Sequence, residues 1–134
     1  MVLIEKELKG SPMEGSANDF VEAGIKYNID PLFLVSIGNH ESNYAKAYSQ
    51  QSNNERHNYA GVMTFDNGVR RLRRYTCWKE AIFDHARILR EMYLDKGLDT
   101  IEKIWYVYAP PLEITNDSWG PSVAAKYKSL LNNF

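Results

Sequence analysis

A mainly helical α+β domain is predicted by three stretches of the chain. Residues 31–37 are almost wholly apolar and open on Asp30-Pro31, a capped helix start whose proline lacks an N–H that would find no partner there anyway. Residues 78–93 carry apolar side chains at helical spacing. Between these two, Asp66-Asn67-Gly68 separates two strand-capable runs, and Asn-Gly in that setting is the strongest short-range sign of a hairpin. The 134 residues suit one domain, 1–134, long enough to bury a core. Apolar content of 44% and charged content of 25% are ordinary globular values, so disorder is not expected.

Taken in order, residues 1–15 read as an extended or short helical lead, because Gly10, Pro12 and Gly15 oppose a long helix. Ser16 begins the first main helix, with Asp19 in a position like that of a capping box. Phe20, Val21, Ala23, Gly24 and Tyr27 give it an apolar side, and Asn28 ends it. The helix over 30–39 follows after a tight turn. Its Leu32, Phe33, Leu34, Val35 and Ile37 lie all round the axis, so it is expected to be buried on most sides. Residues 43–57 are polar and rich in asparagine, a surface loop or the rim of a carbohydrate groove. The hairpin occupies 58–75 with its tip at 66–68. Thr76 is expected to cap the next helix, whose Ala81, Ile82, His85, Ile88, Leu89 and Met92 face the core. His85 there reads as a satisfied core histidine, and Trp78 as a packing residue. After Gly97, Asp99 or Thr100 caps a helix to about Val107. Residues 112–118 form a loop, and Trp119-Gly120-Pro121 opens the last helix.

The chemistry centres on Gly38-Asn39-His40-Glu41-Ser42, which ends the buried helix. Acids are rarely buried without a partner. If Glu41 meets a cleft, desolvation and the negative end of the helix dipole both favour its protonated form. A protonated carboxyl facing a groove is what donates a proton to a glycosidic oxygen. The alternative is a carboxylate that caps or salt-bridges a helix end. His40-Glu41 does not begin a zinc protease motif, because Tyr44 stands where the second histidine belongs. No metal and no cofactor is expected.

Residues 20–31, FVEAGIKYNIDP, with the apolar helix after them and Glu41-Ser42, resemble the lysozyme-like peptidoglycan hydrolases. The nearest likeness is to the endo-β-N-acetylglucosaminidases of bacterial autolysins, flagellar muralytic proteins and phage lysins, over roughly residues 8–131. The resemblance implies a helical lobe and a small β-hairpin lobe flanking a cleft, and it places the catalytic acid on Glu41. Asn58-Tyr59-Ala60-Gly61-Val62-Met63 is similar both to a glucosaminidase segment and to one of the lytic transglycosylases, with Thr64 in place of the latter's glutamine. Tyr108-Ala109-Pro110 matches the turn that ends the family's fourth helix, which implies an assisting role for Tyr108. Ser42, Asn58, Gly61, Tyr75 and Trp119 are the expected groove residues, Gly61 because it lets backbone approach a sugar ring. The family's second acid has no secure counterpart. Asp66 at the hairpin tip and Glu55 before the hairpin are the candidates. A substrate-assisted route, or a lytic transglycosylase route, needs only one protein acid.

The implied partner is therefore the β-1,4-linked glycan of peptidoglycan. Two rivals remain: a muramidase or lytic transglycosylase of the same fold, and a non-catalytic wall-binding or phage structural module. A net charge of −1 argues against nucleic acid as partner. Arg70, Arg71, Arg73, Arg74 and Lys79 form a basic cluster, either a solvated face or a contact for anionic wall polymer. No apolar run approaches the ~20 residues that span a bilayer, so no membrane is expected as partner. Met1-Val2-Leu3-Ile4 is followed at once by Glu5, Lys6 and Glu7, which is no signal-peptide pattern. An extracellular, wall or phage location would then depend on lysis, a phage particle or a larger lysin, autolysin or tail protein. Cys77, the single cysteine, reads as a partly buried structural thiol.

Overall fold

The computed structural model describes residues 2–46, 57–108 and 119–133; the side chains of 63–66, 70–71, 105–108 and 119 lie outside that description. The protein is mainly helical. The elements are α1 (Val2–Leu8), α2 (Ala17–Tyr27), α3 (Pro31–Ser42), β1 (Met63–Asp66), β2 (Val69–Leu72), α4 (Trp78–Met92), a 3-10 turn (Leu94–Lys96), α5 (Ile101–Tyr108) and α6 (Trp119–Asn132).

Helix α3 is the axis of the molecule. Asp30 caps it, its carboxylate accepting from the Leu32 amide at 2.9 Å, and Pro31 occupies the first turn. Leu32, Phe33, Leu34, Val35 and Ile37 are all buried. Ser36 is tolerated among them because its hydroxyl donates back to the Leu32 carbonyl at 2.7 Å. Helix α3 packs on α6, α2 and α4, while α2 packs chiefly on α4. The join between α2 and α3 is tight. Asn28 ends α2 in the left-handed conformation, and the Ile29 amide returns to the Gly24 carbonyl. A Cβ on Gly24 would lie 2.7 Å from the Ile29 carbonyl oxygen, so only glycine allows the approach.

Strands β1 and β2 pair antiparallel, Met63 opposite Leu72 and Asp66 opposite Val69. Asn67 and Gly68 both take positive φ (52° and 79°), the backbone that a two-residue type I′ turn requires. Asn58 anchors the strands' base. Its side-chain NH2 donates to the Val62 and Arg73 carbonyls, both at 2.8 Å, and its oxygen accepts from the Val62 amide.

Several details depart from the sequence expectations. Helix α3 runs past Asn39 to Ser42, so Glu41 lies in its last turn. The N-cap of α4 is Cys77, not Thr76; Thr76 instead donates its hydroxyl to Glu80 at 2.5 Å. Cys77 is exposed, because a cap residue sits outside the helix's packed face. Met92 is exposed too, the last turn of α4 having run beyond the core. His85 is fully buried as expected but only half satisfied. Its Nδ1 meets the Tyr59 hydroxyl at 2.7 Å, while Nε2 has no hydrogen-bond partner among the described residues.

Candidate functional site

Glu41 is half-buried in the last turn of α3. The chain then does something costly. Asn43, Tyr44 and Ala45 follow in succession with φ of 47°, 58° and 70°. Left-handed backbone costs a non-glycine residue about 1–2 kcal/mol. Among the described residues, the other non-glycine positive φ values fall at Asn28, His57 and Asn67. Asn28 and Asn43 serve helix ends and Asn67 a hairpin turn. The remaining three, Tyr44, Ala45 and His57, stand shortly after Glu41 or beside Asn58. Strain that is held in place by its surroundings tends to gather where a site must be preorganised.

The surroundings that hold it are specific. The Asn43 amide donates to the Asn39 carbonyl at 2.9 Å and the Tyr44 amide to the Gly38 carbonyl at 3.2 Å, the pattern that closes a helix with a left-handed cap. The buried Ser42 hydroxyl donates to the Tyr59 carbonyl at 2.6 Å and accepts from the Ala45 amide at 2.9 Å. Tyr44 is buried, and its hydroxyl donates to the Glu7 carboxylate of α1 at 2.5 Å. Lys126 of α6 pairs with the same carboxylate at 3.1 Å. Burial first, then the bond to Glu7, pushes the Tyr44 phenol far above its usual range, so it stays a donor.

Across from the helix end stands Gly61, at φ +68°. A Cβ there would lie 3.4 Å from Glu41 Oε2. The carboxylate therefore faces a position that carries no side chain. His40, its neighbour, is half-buried, and burial lowers its pKa and favours the neutral ring. Next to the base of the hairpin, His57 Nδ1 lies 3.2 Å from the Tyr75 carbonyl, and its ring packs edge-on to Trp78.

Of the residues expected to line a groove, Gly61 faces the Glu41 carboxylate. Ser42, Asn58 and Tyr75 are buried, with relative exposures of 1%, 2% and 4%. Their polar atoms are spent inside the protein, so they frame the site from behind and offer nothing to a sugar. Tyr75 donates to Asp84 at 2.5 Å, and burial with that bond pushes its phenol well up. Asp84 also holds Arg73 and Arg87, each at 2.7 Å. Burial works to raise the Asp84 pKa, but the Tyr75, Arg87 and Arg73 donors outweigh it and keep the carboxylate below its ordinary value. The basic cluster is thereby partly consumed: Arg73 serves Asp84, and Lys79 lies 3.5 Å from Glu22. Asp66 ends β1, Tyr108 ends α5 and Trp119 opens α6, with side chains outside the described set; Glu55 lies outside the described residues altogether.

Sequence reasoning missed Tyr59, Tyr44, Glu7 and Asp84. Tyr59 was within reach, standing inside the segment already singled out. The pairing of Glu7 with Tyr44 spans 37 positions and left no local trace.

Two hollows, of about 220 and 360 Å³, lie at the opposite end of α3, one on each side of Asp30. Eleven residues of helix rise separate Asp30 from Glu41, about 16 Å, so neither belongs to this site. Among the described residues, no group of three His, Cys, Asp or Glu side chains is placed to hold a metal ion, and no helix is long and apolar enough to cross a membrane.

Comparison with protein-family models, curated proteins and solved structures finds no match to this chain.

Proposed function

We propose that the protein is a glycoside hydrolase that cuts the β-1,4 glycan of bacterial peptidoglycan, of N-acetylglucosaminidase type, on a lysozyme-like fold. The observation that carries this reading is the treatment of Glu41. A carboxylate is mounted in the last turn of a buried helix, followed after Ser42 by three left-handed residues, and faces a glycine. A general acid needs such bracing, because proton transfer requires the carboxyl to hold one position beside the leaving oxygen.

In this reading Glu41 donates its proton to the glycosidic oxygen as the bond from C1 breaks. Gly61 leaves room for a sugar ring to lie close to that carboxyl. The hairpin β1–β2 is assigned to the small lobe, Tyr108 to an assisting role and Trp119 to the sugar groove. A retaining enzyme needs a second carboxyl about 5–5.5 Å away and an inverting one about 6.5–9.5 Å away. Asp66, at the end of β1, is the candidate for that role. The 2-acetamido oxygen of the sugar can replace it as nucleophile.

The test is digestion of purified cell-wall sacculi followed by mass spectrometry of the soluble products. New reducing ends on N-acetylglucosamine support the proposal. New ends on N-acetylmuramic acid, reduced or anhydro, transfer the activity to a muramidase or lytic transglycosylase. Binding without release of any fragment refutes the enzymatic reading.

A further inference from the structure

Tyr59 touches α3 on both sides of Glu41. One turn earlier its ring lies on Gly38, so close that a Cβ there would be 2.8 Å from the ring. One residue later its carbonyl accepts the Ser42 hydroxyl at 2.6 Å. The ring is 1% exposed and stands edge-on to Phe20, with centroids 5.6 Å apart. Its hydroxyl has one described partner, His85 Nδ1 on α4, at 2.7 Å. His85 is itself buried with Nε2 unmatched among the described residues, an arrangement that costs stability and that packing alone does not require.

We propose that Tyr59, held by His85, is the positioning residue for Glu41. The claim rests on the reading of Glu41 as the general acid. The ring and the carbonyl grip the last turn of α3 at Gly38 and Ser42. The hydroxyl, gripped by His85, stops the ring from sliding along the helix. The carboxyl of Glu41 is thereby fixed relative to Gly61, which is part of the same loop as Tyr59. Tyr59 touches no substrate; it acts through the helix end.

The variant Tyr59→Phe keeps the ring on Gly38 and removes only the bond to His85. Two measurements on the full chain test it, below the temperature at which circular dichroism shows any unfolding. The first is hydrogen exchange at the 43–45 amides, with those of α6 as internal reference. Protection at 43–45 is expected to fall about tenfold while α6 is unchanged; no change at 43–45 overturns the brace. The second compares two substrates. Cell-wall glycan leaves as an alkoxide that needs a proton, whereas a dinitrophenyl glycoside of an N-acetylglucosamine oligomer leaves as a stable phenolate that needs none. A misplaced acid lowers kcat on glycan by about 10- to 100-fold with KM held, and leaves the aryl glycoside rate nearly intact. Equal loss on both substrates means a smaller folded fraction and overturns the positioning role. So does full retention of activity on glycan. If the unaltered protein cleaves neither substrate, the reading of Glu41 fails, and with it the positioning role; the exchange data then decide the brace alone.

Discussion

Gly61 is the residue on which the geometry beside Glu41 depends most narrowly. Its φ of +68° disfavours any side chain, and a Cβ would come within 3.4 Å of Glu41 Oε2. Gly61→Ala is expected to cost about 1–2 kcal/mol, read as a lower urea midpoint, and to cut glycan cleavage by more than the loss of stability explains. At this scale the sequence was legible in part. Glu41 stands out because a carboxylate after an apolar helix is a local oddity, and Gly61 because the segment around it, Asn58 to Met63, resembles a known one. Ser42, Asn58 and Tyr75 were equally visible as residues, but their direction was not. The Asn58 amide serves the Arg73 carbonyl, 15 positions on, and the Ser42 hydroxyl serves Tyr59, 17 positions on. A polar side chain facing such a partner and one facing a sugar look identical in sequence.

Helix α3 sets the position of everything near Glu41, and it is held at both ends. At the start, Asp30 caps the Leu32 amide and accepts the Tyr127 hydroxyl of α6. That bond, after burial, lifts the Tyr127 phenol to about 12. Asp30→Ala is expected to destabilise the protein by about 1–2 kcal/mol in urea unfolding, the ordinary cost of a lost cap. An unchanged midpoint would show that the cap is not felt. At the far end, Tyr44→Phe removes a part-buried bond to a charged group, Glu7, which costs about 1.5–3 kcal/mol. The same substitution in the presence of Glu7→Gln is expected to cost less, since the charged acceptor is gone; additive losses would contradict the pairing. The start of α3 was legible because capping is written in adjacent residues, Asp30 and Pro31. Its end was not, because the last turn beyond Asn39 is stabilised by Gly38, Ser42 and contacts from α1 and the Tyr59 loop.

Across the molecule, the main helices and most of the core residues named followed from periodicity, since apolar spacing decides which face is buried. What periodicity does not carry is the polar content of that core. His85 is the main case. Burial pushes its pKa down to about 3, against a weaker opposing pull from the neighbouring Asp84 charge. The unfolded chain takes up this proton near pH 6.5, while the folded state resists it until about pH 3. Between those values the unfolded state binds more protons, so stability falls as pH falls, by at most about 1.4 kcal/mol per pH unit from this group. His40, also lowered by burial, works in the same direction. Asp84, held below its ordinary value, adds loss only at more acid pH, as the carboxylate itself is protonated. Urea unfolding followed between about pH 6 and pH 4 is expected to show a shallower slope for His85→Gln than for the unaltered protein. Parallel slopes would show that His85 is not the buried neutral histidine described.

The central claim is that Glu41 delivers the proton. Its most direct test is the release of reducing sugar from purified sacculi by Glu41→Gln, an isosteric change that leaves the helix end its shape and removes the acid. A loss of about 100-fold or more, with unchanged circular dichroism and unchanged binding to the sacculi, is the result the account predicts. Release at the rate of the unaltered protein would contradict it.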